Sequence, residues 1–280
     1  MPSNSPTISA IVLNYKTPHD TLRCVDALQK QTIAEELEII VIDNHSGDRS
    51  MSILRPLLGK IARLSLLETP ANLGYGKGNN LGVARARGEY ILIINPDTSL
   101  EPDALEKMLA YMKEHPEAGI LGPKLIFPDG TIRDSFRTFP TLTDIFIKRT
   151  PLRFFFPKRM GAYLQWAEDP HEVRQVDWIV GACLFLRKDF FEALGGFDPR
   201  FFFFFEDTDL CRRCWKAGKE VIYFAKAHAR DSEHRLSEGG FFAIFLKKSI
   251  RIHLRSALRY FWKWRKTRAE RAVKAGKAEK

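Results

Sequence analysis

The stretch "GEYILIINPDTSLEPDAL", residues 88–105, contains an apolar run that stops at an acid. Residues 90–95 are apolar except for the last, which is typical of a strand buried in a protein core. Pro96 has no backbone N–H and marks the end of that strand, and Asp97 follows it directly. Asp97 is either the cap of a turn or a ligand for a divalent cation that also binds substrate phosphates.

Strand and helix patterns alternate on both sides of this stretch. Apolar runs predict further strands at residues 7–15, 37–42, 63–69 and 119–127. Helical spacing predicts helices at residues 19–32, 51–62 with an interruption at Pro56, 80–88 and 101–117. This order predicts an α/β domain with a mostly parallel sheet flanked by helices. Because ligands bind beyond the carboxyl ends of such strands, we expect the polar residues found there to face one crevice: Asn14, Tyr15, Asp43, Asn44, Asn95 and Asp97.

The second half of the chain places an acid pair after an unusual aromatic run. Residues 136–175 give no firm assignment, and residues 176–198 predict a strand and then a helix. Five consecutive phenylalanines, residues 201–205, precede Glu206 and Asp207, where a further helix begins. An apolar setting raises the pKa of a carboxylate and makes Asp207 a candidate general base. The alternative is an acidic first helical turn that is stabilised by the helix dipole.

The segment "NLGYGKGNN", residues 72–80, is rich in glycine. The spacing of Gly74, Gly76 and Gly78 matches neither the dinucleotide-binding nor the P-loop pattern. The segment is therefore either a loop that needs positive φ angles or a phosphate site formed by Lys77 and the start of the next helix.

Composition and charge limit the possible functions. The chain has 280 residues and a formal net charge of +10, but residues 247–280 alone carry +11, so the body is neutral. This distribution argues against nucleic-acid binding as the role of the folded domain. No apolar run reaches the ~18 residues of a membrane span, and no signal peptide is recognisable, so we expect a cytoplasmic protein. The four cysteines are expected to be free, with Cys211 and Cys214 on the buried side of a helix.

The basic C-terminal tail has an amphipathic pattern. Arg251, Arg255 and Arg259 recur every four residues and predict one helical face. A second, apolar face is predicted from Ile250, Leu254, Leu258, Phe261 and Trp262. Such a helix either binds an anionic membrane surface at the inner face of the cytoplasmic membrane or packs its apolar face on the domain.

The order of these motifs resembles that of the family 2 inverting glycosyltransferases, and most of all their rhamnosyltransferase-like bacterial branch. The resemblance is carried by "IVLNY", "VIDNHSGD", "NLGYGKGNN", "ILIINPDT", "DWIVGACLFLRK" and "GGFDPRFFFFFEDTDLCRR" and covers about residues 7–235. It implies a GT-A fold over residues 1–238. The nucleotide-binding half would be about 1–130, the acceptor half about 131–238, and the basic helical tail 239–280.

The resemblance also implies roles for individual residues. Asp43 would read the nucleotide base, Asp97 would hold Mg²⁺ or Mn²⁺, and Asp207 would be the general base with Glu206 beside it. Trp178 and Gly181 would line the acceptor side. The other positions implied for the nucleotide-sugar site are Asn14, Tyr15, Gly74, Lys77, Asn80 and Asn95.

One position departs from the family pattern. A histidine that can ligate the metal usually follows the acid pair, and Asp231 stands in that place here. His228 and His234 flank it, so we name both as candidate metal ligands.

The resulting expectation is transfer of a sugar, with inversion, from a UDP-, GDP- or dTDP-sugar to a saccharide or lipid-linked acceptor. A nucleotidyltransferase that makes nucleotide sugars is an alternative, but it needs a basic glycine-rich loop after the first strand, where "NYKTPHD" stands. A second alternative is a non-catalytic, membrane-associated binding protein, but this hypothesis does not explain Asp97 and Asp207. Convergence of Asp43, Asp97 and Asp207 on one cleft distinguishes these possibilities.

Overall fold

The computed structural model describes residues 5–232 and 248–265. The strands are β1 (Ile8–Asn14), β2 (Leu37–Asp43), β3 (Leu64–Glu68), β4 (Tyr90–Ile94), β5 (Ser99–Leu100), β6 (Ala118–Ile126), β7 (Phe136–Arg137), β8 (Arg174–Gln175), β9 (Trp178–Ile179), β10 (Cys183–Arg187) and β11 (Glu220–Arg230). The helices are α1 (Pro18–Gln29), α2 (Ser50–Leu54), α3 (Tyr75–Val83), α4 (Ala104–Glu114), α5 (Leu142–Arg149), α6 (Pro157–Leu164), α7 (Lys188–Ala193), α8 (Glu206–Lys216) and α9 (Lys248–Lys263). Short 3₁₀ turns lie at Ala34–Glu36, Arg55–Leu57 and Pro151–Phe154.

The central sheet has the strand order β3-β2-β1-β4-β10-β6-β11-β5, with β8 paired to β11. Strands β3, β2, β1 and β4 are mutually parallel, and β11 is parallel to β6. Strand β10 is inserted antiparallel between β4 and β6, with Cys183 opposite Ile94. The start of β10 therefore lies beside the end of β4, and residues 181–182 reach the same sheet edge as Asp97. The predicted α/β fold with a mostly parallel, helix-flanked sheet is confirmed.

The central strands of the sheet are buried on both faces because they consist largely of apolar residues. All seven residues of β1 are buried, and alternate residues point to opposite faces. Ile8 and Val12 belong to the apolar cluster that contains residues of α1 and α4. Ile11 and Leu13 belong to the cluster that contains residues of α8, including Cys211 and Cys214 as predicted.

Helix α3 begins earlier than the sequence predicts, so the glycine-rich segment is helix rather than loop. It starts at Tyr75, and Gly78 and Gly82 face the sheet. A Cβ atom on Gly82 would lie 2.5 Å from Cγ2 of Ile11, and one on Gly78 would lie 2.6 Å from Cδ1 of Leu13. These glycines allow the helix to approach the sheet closely, which accounts for their spacing without a phosphate.

The segment that the sequence left unassigned forms α5, a 3₁₀ turn and α6. Helix α5 begins with a capping box in which the Thr141 hydroxyl accepts from the Asp144 N–H and the Asp144 carboxylate accepts from the Thr141 N–H. Ile147 of α5 packs with Met160 and Tyr163 of α6, which joins the two helices.

Helix α9 packs on the domain through a different side from the apolar face that the sequence predicts. Its buried side carries Ala257, Tyr260 and Trp264, which cluster with Phe201, Phe205 and Ile145. Of the predicted apolar face, Leu254, Leu258 and Trp262 are exposed, while Phe261 is partly buried against this cluster. No helix in the described part of the chain is both long and apolar enough to cross a bilayer.

Candidate active site

Asp43 lies at the end of β2 in a closed hydrogen-bond network. Asn14 Nδ2 and the Ser46 hydroxyl donate to Asp43 Oδ1, each at 2.6 Å, and the Ser46 N–H donates to Oδ2 at 3.0 Å. Asn14 Oδ1 accepts from the Thr21 hydroxyl at 3.0 Å. Asn14 therefore orients Asp43, whose Oδ2 keeps acceptor capacity for a ligand.

Asn44 connects the end of β2 to the start of α3. Its Oδ1 accepts from the Leu73 N–H at 2.9 Å, and its Nδ2 donates to the Gly74 carbonyl at 3.3 Å. Gly74 has a φ of +81°, and a Cβ there would lie 2.2 Å from the Phe202 carbonyl oxygen. Because Gly74 has no side chain, the loop of residues 201–205 can pack directly against the backbone at this position. The next residue, Tyr75, donates its N–H to the Phe202 carbonyl at 2.8 Å.

The remaining candidates for the nucleotide site differ in whether their side chains are available to bind a ligand. Both amide atoms of Asn80 bind the Phe197 backbone, at 2.9 Å from its N–H and 2.8 Å from its carbonyl, so Asn80 is part of the scaffold. Tyr15 and Lys77 are exposed. The Asn95 N–H donates to the Ala182 carbonyl at 2.8 Å, which ties the end of β4 to the segment that precedes β10.

Asp97 is half-buried just after β4, and its Oδ2 accepts from the Ser232 hydroxyl at 2.8 Å. Within residues 5–232 and 248–265, its Oδ1 has no hydrogen-bond partner. Asp97 therefore has one carboxylate oxygen fixed by a hydrogen bond and one oxygen available as a ligand. This arrangement suits a hard cation such as Mg²⁺, which binds one or two carboxylates together with substrate phosphates.

The metal-ligand candidates around Asp231 do not assemble into a site among the described residues. Asp231 is buried and forms an ion pair with Arg133, so its charge is compensated. Burial and the nearby Lys124 lower the pKa of His228, which leaves a neutral imidazole. His234 lies outside the described residues, and within them no group of three or more His, Cys, Asp or Glu could hold a metal.

Asp207 is fixed at the start of α8 by three hydrogen bonds. The Gly181 N–H donates to Oδ2 at 2.9 Å, and the N–H and hydroxyl of Thr208 donate to Oδ1 at 2.6 and 3.2 Å. Desolvation raises the pKa of Asp207 above its usual range, while these bonds and the positive charge of Arg137 partly offset the rise. A raised pKa and a fixed orientation are the properties of a general base.

Glu206 is more deeply buried than Asp207, and its Oε2 has no hydrogen-bond partner in the described part of the chain. Desolvation and the neighbouring Asp207 raise the pKa of Glu206 well above its usual range. Two adjacent carboxyl groups with separated pKa values take different protonation states. The deeper burial of Glu206 favours its protonated form, and Asp207, whose carboxylate accepts three hydrogen bonds, is the better placed of the two to act as a base.

Tyr75 connects the acid pair to Asp97. Its hydroxyl donates to the Gly181 carbonyl at 2.5 Å. Burial raises the pKa of Tyr75, and the negative charges of Asp207 and Asp97 add to that effect. The Asn95 N–H binds the Ala182 carbonyl and the Gly181 N–H binds Asp207, so residues 181–182 link the end of β4, where Asp97 follows, to the acid pair. The Asn44–Gly74 bond ties the end of β2 to the start of α3, which carries Tyr75. Sequence reasoning missed Tyr75, although it lies within the glycine-rich motif.

Of the two acceptor-side candidates, Gly181 lies at the cleft and Trp178 does not open onto it. A Cβ on Gly181 would lie 3.2 Å from Cβ of Asp207. Trp178 is buried, its indole N–H donates to the Thr138 carbonyl at 2.9 Å, and the Arg137 guanidinium stacks on its ring at 5.2 Å. Arg137 comes from the segment that gave no firm assignment, so no sequence signal pointed to it.

Comparison with known proteins identifies the family. The family model described as "Glycosyl transferase family 2" matches residues 9–171, more than half of the chain. The chain belongs to this family. The match confirms the resemblance found in the motif order.

Curated relatives of this glycosyltransferase include rhamnosyltransferases. It is 33% identical over 204 residues to the N-acetylglucosaminyl-diphospho-decaprenol L-rhamnosyltransferase of Mycobacterium tuberculosis, covering 68% of the chain but only 65% of that relative's length. It is 28% identical over 236 residues to rhamnosyltransferase WbbL of Escherichia coli, covering 81% of the chain and 82% of WbbL.

Solved structures share the fold of this glycosyltransferase at low identity. GalNAc-T7, crystallised with UDP, GalNAc and Mn²⁺, matches with a TM-score of 0.63 and 14% identity over 89% of this chain and 48% of that one. The mannosyltransferase PcManGT of Pyrobaculum calidifontis, in complex with GDP-Man and Mn²⁺, matches with a TM-score of 0.56 and 18% identity over 82% of this chain and 58% of that one. These likenesses support the GT-A fold of the described residues.

Proposed function

We propose that this glycosyltransferase moves a sugar, with inversion, from a nucleotide-sugar donor to a hydroxyl group of a saccharide or lipid-linked acceptor. The observation that carries the proposal is the carboxylate of Asp207. It is fixed by Gly181 and Thr208, has a raised pKa, and lies in the cleft that Asp97 borders. A single displacement on the anomeric carbon requires one base at the acceptor side and charge compensation at the leaving diphosphate.

The donor half of the site is assigned to the ends of β1, β2 and β4. Asp43, oriented by Asn14, would accept a hydrogen bond from the nucleotide base through Oδ2. Lys77, exposed on α3, would meet the diphosphate, and Tyr15 would border the nucleoside. Structures of similar fold bind UDP, UDP-GlcNAc and GDP-Man, which supports a nucleoside diphosphate sugar as the donor.

Asp97 is the residue that would hold Mg²⁺ or Mn²⁺, as its open Oδ1 suits a hard cation. When bound, such a cation acts as a Lewis acid that neutralises charge on the departing nucleoside diphosphate. Ser232 keeps the other carboxylate oxygen in place, so Asp97 presents one defined oxygen to the donor side of the cleft.

The acceptor half uses the acid pair. Asp207 would take the proton of the attacking hydroxyl, and Gly181 and Thr208 would hold its two oxygens in the orientation for that transfer. Glu206 stays protonated and so adds no negative charge beside the base. Arg137 limits the rise of the Asp207 pKa, which favours the ionised carboxylate that a base requires.

The substrates are inferred from the relatives. Both the mycobacterial and the Escherichia coli relatives are rhamnosyltransferases, so we propose rhamnose as the sugar. The mycobacterial relative acts on a decaprenyl-diphosphate-linked saccharide, and we propose an acceptor of this class. These substrates support a role in cell-envelope polysaccharide synthesis at the inner face of the cytoplasmic membrane.

A donor screen tests the proposal. The purified chain is incubated with UDP-, GDP- and dTDP-sugars, including dTDP-rhamnose, with Mn²⁺ or EDTA, and release of the nucleoside diphosphate is measured. NMR of the product with a short lipid-linked acceptor gives the anomeric configuration. Release from one donor class, dependent on the cation, with an inverted product is expected. A retained configuration, or release that EDTA leaves unchanged, contradicts the proposal.

A further inference from the structure

We propose that one face of the molecule binds an anionic lipid bilayer. This docking face consists of the exposed sides of α5, the following 3₁₀ turn, α6 and α9. Its apolar residues are Leu142, Phe146, Phe154, Phe155, Phe156, Trp166, Leu254, Leu258 and Trp262. The inference goes beyond the proposed function, because it concerns where the enzyme is held and not which sugar it moves.

The first observation is the concentration of exposed apolar side chains. Phe154 and Phe155 are 72% and 77% exposed, and Leu258 and Trp262 are 68% and 64% exposed. Isolated surface leucines are ordinary, but a contiguous apolar patch on a protein surface marks an interaction site. The consecutive phenylalanines that follow Arg153 cannot be explained by packing within the domain.

The second observation is that these elements are neighbours. Ile145 of α5 packs with Ala257 and Tyr260 of α9, and Ile147 of the same helix packs with Met160 of α6. The buried sides of α5 therefore join α9 and α6, while Leu142 and Phe146, one turn apart, point outward from it. The three helices are therefore neighbours, and the proposed docking face extends across their exposed sides.

The third observation is the arrangement of cations on α9. At 100° per residue, Leu254, Leu258 and Trp262 share one face with Arg251 and Arg255, and all five are exposed. Arg265 stacks over the Trp262 ring at 4.5 Å. Arg153 stacks in the same way over Phe154, at 4.7 Å. Apolar and aromatic side chains mixed with arginine are typical of helices that lie in the lipid headgroup region.

The fourth observation is the charge. Residues 142–166 and 248–265 together hold 11 Lys or Arg and one acid. Lys263 is paired with Asp198 and Asp209 of the domain, and the other ten cations still leave these segments strongly positive. The acid, Asp144, is already paired with Arg159. The partner of this face is therefore anionic.

The positive charge and the exposed apolar side chains of the docking face together indicate which kind of partner it binds. A second copy of this face would bring two strongly positive surfaces together, and their electrostatic repulsion disfavours self-association. A soluble polyanion would match the cations but leave the protruding leucines and phenylalanines in water. An anionic bilayer satisfies both, because its headgroups meet the arginines while its acyl region accepts the apolar side chains.

Vesicle flotation with the full chain tests the proposal. The probes are vesicles of phosphatidylglycerol and of phosphatidylcholine, at low and high salt. Phe155→Glu and Leu258→Glu each remove one apolar contact on separate elements, and Leu58→Glu is the matched control because Leu58 is exposed on a different segment. Thermal melts establish that each variant folds.

The wild-type chain is expected to float with phosphatidylglycerol at low salt and to stay behind with phosphatidylcholine. Each docking-face variant should bind ~10-fold or more weakly, since a buried large apolar side chain contributes about that factor, and Leu58→Glu should bind like the wild type. Equal flotation of all variants, or equal binding to both lipids, overturns the proposal. Donor turnover, measured in parallel without vesicles, tests the proposed function separately, because loss of flotation leaves that turnover unchanged.

Discussion

The backbone N–H of Gly181 donates a hydrogen bond of 2.9 Å to Oδ2 of Asp207. The Gly181 carbonyl accepts from the Tyr75 hydroxyl, so one peptide segment before β10 holds both the acid and the tyrosine. A Cβ on residue 181 would come within 3.2 Å of the Asp207 side chain. A glycine here lets the backbone approach Asp207 closely enough to orient its carboxylate.

Asp207→Asn should retain donor affinity and lose ~10²-fold or more in turnover, because a general base typically contributes that much. Isothermal titration with the nucleoside diphosphate and steady-state kinetics separate the two effects. Asp189→Asn, an exposed acid near the start of α7, is the control. Collapse of donor binding with turnover at saturation intact would assign Asp207 to the donor side.

Glu206→Gln should gain stability relative to the wild type as pH rises. Burial raises the folded-state pKa of Glu206 above its ordinary 4.5, so above that pH the unfolded chain loses the proton first and the wild type is progressively destabilised. The neutral amide does not titrate and escapes this loss. Urea denaturation of both proteins at several pH values measures the difference. A difference independent of pH would mean that Glu206 is ionised in the folded enzyme.

Arg137→Met should move the acidic limb of the turnover-against-pH profile to higher pH. The Arg137 charge lowers the pKa of Asp207, and its removal leaves desolvation less opposed. Below its pKa, Asp207 is protonated and inactive as a base, so the variant should lose activity at a higher pH than the wild type. Arg23→Met, an exposed arginine on α1, should leave the profile unchanged. If the acidic limb of the Arg137→Met profile lies at the same pH as that of the wild type, Arg137 does not influence the pKa of Asp207.

Asp97→Ala should abolish transfer and the cation-dependent part of donor binding while the protein stays folded. Losing a carboxylate that holds the cation should cost several kcal/mol in the transition state, on the order of 10²-fold or more in rate. Donor binding with and without EDTA is the direct measurement, with the exposed acid in Asp48→Ala as control. Activity of Asp97→Ala equal to the wild type would exclude Asp97 as a cation ligand.

Trp264→Ala and Trp262→Ala should differ sharply in stability although the residues are two positions apart. Trp264 is buried and its indole N–H donates to Asp209 at 2.9 Å, so its truncation should cost about 3 kcal/mol or more. Trp262 is exposed, and its truncation should cost less than about 0.5 kcal/mol. Chemical denaturation measures both. Equal, small effects would place α9 away from the domain.

Much of the fold follows from the sequence. The strands that end at Asn14, Asp43 and Asn95 could be predicted because continuous apolar runs form buried parallel strands, whose polar ends meet at one sheet edge. The acid pair after residues 201–205 could be named for the same reason, since an acid beside so many apolar residues has an unusual environment.

Other features required the tertiary structure. The sequence of β10 carries no sign that it would insert antiparallel beside β4, because strand pairing is a long-range choice, and that choice brings Gly181 to Asp207. Asn80 has the residue type of a ligand-binding side chain, yet the Phe197 backbone uses both of its amide atoms.

Helix α9 shows most clearly which features follow from the sequence and which depend on the tertiary structure. Its sequence determined an amphipathic, basic helix, because spacing alone sets which residues share a face. Its tertiary contacts decided which face is buried. The aromatic surface of Phe201 and Phe205 accepts Tyr260 and Trp264, while Asp209 accepts hydrogen bonds from Lys263 and Trp264. Leu254, Leu258 and Trp262 remain outside because shape and hydrogen-bond complementarity, which no local pattern encodes, favour the other side.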